Sequence, residues 1–170
     1  CVFDFGGAGW ANEIWVYPGY DGPGWGLPPD DSVGAYGWGQ ATNFGSWTGW
    51  TQSGDFNYDV GIIGLNRAVG SLTGWFGWAY GGDCAFHTSK TYNNAQYPAE
   101  YCGSPGLHNG LDMYYWSGAV DSCPSWNRLQ VNTAGGCFNA IWGGSSGSGA
   151  YYIDGSSRYV HGITSTSDRA

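Results

Sequence analysis

The chain has 170 residues, and its 42% hydrophobic and 18% aromatic content can fill the core of one large domain or two small ones. The formal net charge is -8 and only 5 residues are Lys or Arg. A nucleic-acid partner is therefore not expected, because no basic patch exists to replace phosphate counterions. No apolar run approaches the roughly 20 residues of a membrane span, and no signal peptide is visible at Cys1. We expect a folded chain without a membrane partner.

The residue usage predicts an all-β fold. The chain has 32 glycines, 11 tryptophans and 13 tyrosines but only 1 methionine, which is typical of short strands, tight turns and aromatic packing. In chain order, the first half is predicted to contain a strand that ends at Tyr17, a long loop through Asp31, a strand-turn-strand region over Tyr36–Trp50 and a buried strand over Asp59–Leu65.

A Gly-rich connection at 70–74 separates the two halves of the chain. It predicts a boundary near 68–75, with a first domain over 1–72 and a second over 73–170. Short segments between turns recur in the second half, and their spacing suits a small antiparallel barrel or sandwich. These segments are Gly77–Tyr80, Phe86–Thr91, Met113–Val120, Leu129–Asn132, Ala150–Ile153 and Tyr159–Ile163.

The five cysteines form no C-x-x-C pair that would indicate zinc or a redox site. Disulfides in an oxidising compartment are the better interpretation. Pairing nearest neighbours gives Cys84–Cys102 and Cys123–Cys137, although four cysteines allow three connectivities. Cys1 is then left over, and we expect its partner to lie upstream of this chain.

A Gly/Ser stretch, Gly143 to Gly149, contains the candidate nucleophile Ser146. A serine needs a base to take its proton and backbone N–H groups to receive the developing oxyanion. Glycines let the backbone turn sharply beside such a serine, and the N–H groups of Gly144 and Ser146 can converge next to its hydroxyl. By itself the stretch also fits a flexible loop.

The surrounding segments decide between these interpretations. Residues 110–163 resemble the glutamyl-endopeptidase-like branch of the trypsin-like serine proteases, through the ordered segments 113–118, 127–129, 132–136, 144–148 and 160–163. The pair Tyr97-Pro98 resembles the family's tyrosine-proline pair. The resemblance implies that Ser146 is the nucleophile and that the backbones of Gly144 and Ser146 supply the oxyanion donors.

The candidate aspartate precedes the predicted strand of the first half. The segment Phe56–Ile63 resembles the family's Asp-hydrophobic-small-hydrophobic strand, which implies that Asp59 orients the catalytic histidine. Asp55 is the competing carboxylate, but its place before Phe56-Asn57 favours a role in a loop.

The catalytic histidine of the family has no counterpart within the chain. His87, His108 and His161 all follow Asp59, whereas the family order is histidine, aspartate, serine. In the family a cysteine directly follows the catalytic histidine, and Cys1 resembles that cysteine. We therefore expect the histidine just before Cys1 and little turnover from these 170 residues alone. His87 and His108 are expected at the surface, and His161 in a strand beside the substrate cleft.

The substrate-contacting positions depart from the glutamate-specific pattern. Thr164 stands where those members have a histidine after Gly-Ile, and the segment around Ala140 has no carboxylate to pair with a substrate Lys or Arg. We expect Thr164 and Ala140 to contact the substrate and to favour a neutral or apolar side chain.

The resemblance implies a chymotrypsin-like pair of six-stranded antiparallel β-barrels with the active site between them, the first barrel being incomplete. It also implies a secreted serine endopeptidase, monomeric at full length, that cleaves proteins or peptides without a metal or organic cofactor. One alternative is a catalytically inactive homologue that acts as an extracellular binding module. Another is a carbohydrate-binding β-sandwich, which the tryptophans suggest.

Overall fold

The chain divides into two compact units in a computed structural model that describes residues 2–20, 35–100, 108–125, 127–131 and 140–166. The units are Cys1–Trp75 and Phe76–Ala170. Their division falls three residues beyond the predicted boundary between 72 and 73, and the assignment of two domains stays a prediction. Strands predominate and the helices are short, so the predicted all-β class is confirmed.

The first unit is built on a three-stranded antiparallel sheet of order β3-β4-β5. A two-stranded hairpin precedes it, and two short helices follow β4 and β5. In chain order the elements are β1 (Phe3–Asp4), β2 (Gly9–Trp10), β3 (Trp15–Val16), β4 (Gly39–Ser46), α1 (Thr48–Ser53), a 3-10 turn (Phe56–Tyr58), β5 (Gly61–Leu65) and α2 (Gly70–Thr73).

Two predictions for the first unit were wrong. The region Tyr36–Trp50 contains one strand followed by α1, because Gly54 adopts a left-handed φ of 61° and its N–H closes the helix on the Trp50 carbonyl. The strand predicted as buried begins only at Gly61, and Ile62 is 58% exposed. Among the described residues this strand pairs only with β4, at one edge of the sheet, and this pairing does not cover its side chains.

The second unit is built on a five-stranded sheet of order β6-β12-β11-β7-β8, beside a separate β9–β10 pair. Its elements are β6 (Gly77–Trp78), α3 (Cys84–Thr88), β7 (Thr91–Gln96), β8 (Tyr114–Ala119), β9 (Ser122–Ser125), β10 (Arg128–Gln130), β11 (Gly149–Asp154) and β12 (Ser157–Ile163). The described pairings are antiparallel except for β6 with β12.

The hairpin β11–β12 lies directly after the candidate nucleophile. Asp154 pairs with Ser157 across a two-residue turn in which Gly155 has a φ of 57°, a conformation that glycine adopts easily. Near the other end, Ala150 pairs with Gly162 and Tyr151 with Val160. His161 is therefore the extra residue of a β-bulge.

Helix α3 and its disulfide correct two further predictions. Phe86 belongs to a helix rather than a strand, because the Asp83 carboxylate accepts the Phe86 N–H at 2.8 Å and caps the helix. The helix also brings Cys84 against β9, where it forms a disulfide with Cys123 at a Cα–Cα distance of 5.7 Å. Nearest-neighbour pairing was therefore wrong. Cys102 and Cys137 lie outside the described residues.

No helix in the described part of the chain is both long and apolar enough to cross a membrane.

Candidate active site

The candidate nucleophile lies on a folded loop. Ser146 is exposed, whereas the preceding Ser145 is only 1% exposed. The Ser145 N–H donates to the Trp142 carbonyl at 2.9 Å, and the Ser145 hydroxyl accepts the Trp142 N–H at 3.2 Å. The Ser145 carbonyl accepts the Ser148 N–H at 3.0 Å. The buried serine thus ties the loop to itself on both sides of Ser146.

Gly144 could not be replaced by a larger residue without a rearrangement. Its φ is 92°, and a Cβ at this position would lie 2.6 Å from the Ala99 nitrogen and 3.1 Å from the Tyr97 carbonyl oxygen. The adjacent Gly143 carbonyl accepts the N–H groups of Ala99 and Glu100 at 2.8 and 3.1 Å. The segment around Tyr97-Pro98 therefore packs against this loop and forms hydrogen bonds with it.

The two expected oxyanion donors are available. In the described part of the chain, neither the Gly144 N–H nor the Ser146 N–H donates to a protein acceptor. By contrast, the Gly143 N–H donates to Glu100 Oε2 at 2.8 Å, and the Gly147 N–H to the Thr164 carbonyl at 2.8 Å. The assignment of these two N–H groups as oxyanion donors stays a prediction.

Thr164 lies directly beside this loop. Besides accepting the Gly147 N–H, it donates its own N–H to the Ser148 carbonyl at 2.9 Å. Its hydroxyl accepts from Asn94 Nδ2 and from the Ser148 hydroxyl, each at 3.1 Å. Sequence reasoning missed Asn94 and Ser148. The available signal was the run of polar residues Tyr92–Gln96 in a predicted barrel, where alternate side chains must be buried.

Ala140, the other expected substrate contact, is 4% exposed and lies three residues before Gly143. This buried position leaves its contact with substrate a prediction.

Asp59 lies in the first unit, at the end of the 3-10 turn. It is half-buried, and its N–H donates to the Phe56 carbonyl at 3.4 Å. Asp55 begins the same turn, and its Oδ1 accepts the backbone and side-chain N–H groups of Asn57, both at 2.9 Å. Asp55 therefore has the predicted loop role, and the catalytic assignment of Asp59 stays a prediction.

The residue that follows Cys1 packs against the first residue of β5. A Cβ added at Gly61 would lie 2.6 Å from Val2 Cγ2, so Val2 packs directly on the backbone two residues after Asp59. This close contact requires a glycine at 61.

His108 corrects the expectation of a surface histidine. It is 3% exposed, and its ring packs edge-on against Tyr114 and Trp142 at centroid distances of 4.7 and 4.8 Å. Its φ is 58°, a left-handed backbone conformation that is uncommon outside glycine. The preference of an imidazole edge for aromatic faces outweighed the polar sequence around it.

His87 and His161 form one cluster with aromatic residues. Their ring centroids are 5.1 Å apart, and His87 Nδ1 is 2.8 Å from the Tyr92 hydroxyl. Burial lowers the pKa of His161 below its usual value, and the proximity of His87 lowers it further. The ring of His161 also contacts Phe86 and Tyr152.

Within the described residues, no group of three or more His, Cys, Asp or Glu side chains is placed to hold a metal ion.

Solved structures share this fold. One is a Glu endopeptidase in complex with MPD, with a TM-score of 0.68 and 20% identity over 96% of this chain and 64% of that one. Another is the protease Anisep from Arthrobacter nicotinovorans, with a TM-score of 0.70 and 19% identity over 96% and 67%. A third is the thermostable serine protease AL20, with a TM-score of 0.73 and 19% identity over 100% and 70%. The chain therefore has the chymotrypsin-like fold.

No family model matches the chain, but curated proteins are similar to it in sequence. The glutamyl endopeptidase of Bacillus licheniformis is 27% identical over an alignment that covers 86% of this chain and 48% of that protein. The extracellular metalloprotease of Bacillus subtilis is 41% identical over 70 residues, which cover 41% of this chain and 20% of that protein. The chain is thus similar in sequence to a glutamyl endopeptidase over most of its length. The chain spans about half the length of the glutamyl endopeptidase and a smaller part of the metalloprotease.

Proposed function

We propose that the full-length protein is a secreted serine endopeptidase that hydrolyses peptide bonds in proteins or peptides. The observation that carries this proposal is the loop of Ser146, in which Ser146 is exposed and the N–H groups of Gly144 and Ser146 donate to no acceptor among the described residues. The similarity to bacterial proteases, one of them named extracellular, supports both the activity and the location.

In the proposed reaction, Ser146 Oγ attacks the carbonyl carbon of the substrate while a histidine takes its proton. The carbonyl oxygen becomes negative and accepts the N–H groups of Gly144 and Ser146. The imidazolium then protonates the leaving amine, and an acyl group remains on Ser146. Water activated by the same histidine attacks this ester and releases the second product.

We propose that the histidine directly precedes Cys1 and that Asp59 accepts its Nδ1–H. The packing of Val2 on Gly61 supports this assignment, because it brings the segment after Cys1 beside the strand that follows Asp59. A carboxylate in this role holds the correct tautomer and stabilises the imidazolium. The sequence upstream of Cys1 tests the proposal, and any residue other than histidine there would favour an inactive homologue.

The direct test is labelling with a fluorophosphonate probe, which reacts with activated serines. The longer protein should be labelled at Ser146, and Ser146→Ala should remove the label. Ser156→Ala is the matched control, because Ser156 lies in the turn of the β11–β12 hairpin. Undiminished labelling of Ser146→Ala would refute the assignment. The carbohydrate-binding β-sandwich is not supported, because the fold is chymotrypsin-like.

A further inference from the structure

A buried histidine contacts the residue from which the loop of Ser146 begins. His108 is 3% exposed, and its φ of 58° lies in the left-handed region, which histidine and asparagine adopt more readily than most residues. Its Nδ1 is buried and has no hydrogen-bond partner among the described residues. The ring is therefore held in place by its packing contacts, and no step of the proposed reaction uses it.

The imidazole contacts two aromatic rings of the second unit. Its centroid is 4.8 Å from that of Trp142 at an interplanar angle of 63°, and 4.7 Å from that of Tyr114 at 88°. Tyr114 is the first residue of β8 and so belongs to the five-stranded sheet. Edge-to-face pairs at these distances are attractive, and the attraction depends on the orientation of the rings. His108 thus fixes the Trp142 ring relative to the sheet.

The main chain of Trp142 in turn holds the loop. Its N–H donates to Ser145 Oγ at 3.2 Å, and its carbonyl accepts the Ser145 N–H at 2.9 Å. Gly144, one of the two proposed oxyanion donors, lies between these two residues in the chain. A shift of Trp142 would therefore tilt the peptide plane that carries the Gly144 N–H.

The turn that contains His108 is joined to the loop by a second route. The Gly110 N–H donates to the Pro98 carbonyl at 2.8 Å, and the N–H of the adjacent Ala99 donates to the Gly143 carbonyl, also at 2.8 Å. The turn and the loop thus bond to the same segment. The ring of His108 adds the direct contact between them.

The demands of the proposed reaction give this packing a functional consequence. An oxyanion donor acts only if its N–H points at the position of the developing negative oxygen. A displacement of about 1 Å can lower the rate by about a hundredfold, even when its cause lies away from the reacting atoms. Because His108 is buried, it influences the reaction through the loop and not by touching the substrate.

We propose that His108 is a positioning residue of the active site, which holds the loop of Ser146 in its reactive geometry by packing edge-on against Trp142. This inference rests on the proposed peptidase function and adds a residue that the reaction itself does not use. The aromatic edge is the feature on which the effect depends, since asparagine tolerates the same left-handed backbone.

Two substitutions separate the ring from the backbone conformation. His108→Asn retains a residue that adopts the left-handed region but removes the ring, whereas His108→Phe retains an aromatic edge. In the longer protein, His108→Asn should slow fluorophosphonate labelling of Ser146 and lower kcat by about tenfold, which is less than the loss of a whole oxyanion donor. His108→Phe should be labelled within about threefold of the wild-type rate.

The kinetic constants distinguish positioning from a loss of folded protein. Rates are measured per active site, and KM should stay within about twofold of the wild-type value in His108→Asn, because the loss falls on the transition state. Phe76→Leu is the control, since Phe76 packs on Tyr151 at a similar centroid distance of 4.7 Å and has no described ring contact with Trp142. It should leave kcat, KM and the labelling rate unchanged.

A double substitution tests whether the effect passes through Trp142. In Trp142→Leu the ring that His108 contacts is already absent, so the further change His108→Asn should slow labelling by less than about twofold. A further tenfold loss would show that His108 acts by another route and would overturn the inference.

The remaining outcomes separate this inference from the proposed function. Wild-type labelling of His108→Asn would overturn the inference alone, and so would equal losses in His108→Asn and His108→Phe. If His108→Asn does not fold, His108→Leu decides in its place, because leucine fills the space without an aromatic edge and should show the same slow labelling. The absence of labelling in the unmodified longer protein would overturn the proposed function and the inference together.

Discussion

The two parts of the proposed site are held in place by different kinds of interaction. The loop of Ser146 is fixed by directional hydrogen bonds, from Ser145 to Trp142 and from Gly147 to Thr164, each at 2.9 Å or less. The turn that leads to Asp59 is closed by the hydrogen bonds of Asp55, and it also lies among aromatic rings. Trp50 packs against Phe56 and Phe5 at centroid distances of 5.3 and 6.1 Å.

The difference is explained by the role of each part in the proposed reaction. An oxyanion donor is useful only if its N–H points at one position, and peptide planes are set by hydrogen bonds. A carboxylate that orients another side chain depends mainly on where its backbone lies, which the packing of large rings can determine. We therefore expect the second unit to be the more rigid of the two.

Removal of the disulfide should cause the largest loss of stability, and this loss should be confined to the second unit. Cys84 and Cys123 are separated by 39 residues, and opening a loop of this size lowers the free energy of unfolding by about 4 kcal/mol in the chain-entropy account. In Cys84→Ser with Cys123→Ser, hydrogen exchange should accelerate in β7, β8 and β9 and stay unchanged in the first unit. Equal acceleration in both units would contradict their separate stabilisation.

Replacing Gly144 should affect the loop without unfolding the unit. A Cβ at Gly144 meets backbone atoms at 2.6 Å, so Gly144→Ala should displace an oxyanion donor and slow fluorophosphonate labelling by about a hundredfold. Gly147→Ala is the matched control, because Gly147 also has a positive φ of 86° but has nothing within 4 Å of the added Cβ. Equal losses in both variants would mean that backbone strain alone explains the effect.

A smaller change is expected from Trp50→Phe in the first unit. The indole Nε1 donates to the Phe3 carbonyl at 3.0 Å, and phenylalanine retains a ring but loses this bond. The free energy of unfolding should fall by about 1 kcal/mol, which urea denaturation can measure. Trp47→Phe is the control, since Trp47 is 63% exposed and should be nearly neutral.

The smallest effect should be a pH dependence confined to the second unit. The pKa of His161 in the folded state is lowered by burial and by His87 from its ordinary value of 6.5. Its neutral form is therefore favoured by folding, and stability that is present above pH 6.5 should decline as the pH falls below it. In His161→Phe, the denaturation midpoint should change less between pH 7 and pH 5 than in the wild type. An unchanged slope would mean that His161 does not cause the pH dependence.

Local patterns predicted much of the fold. Turn residues and short apolar runs located the strands β8, β11 and β12, and their predicted limits were within two residues of the observed ones. They failed where a cap or a remote contact competes with strand propensity. Asp83 turned the predicted strand at Phe86 into a helix, and the aromatic pocket of Tyr114 and Trp142 buried His108.

The sequence alone determined the all-β class, the protease resemblance and the candidate residues Ser146 and Asp59, because these depend on composition and on residues close together along the chain. Only the tertiary structure decided that Cys84 pairs with Cys123, that Ser145 holds the loop of Ser146, and that Asn94 lies behind Thr164. Each of these contacts joins groups whose pairing depends on how strands and turns pack. Hydrogen bonds and disulfides are selected by geometry in space, which spacing along the chain does not encode.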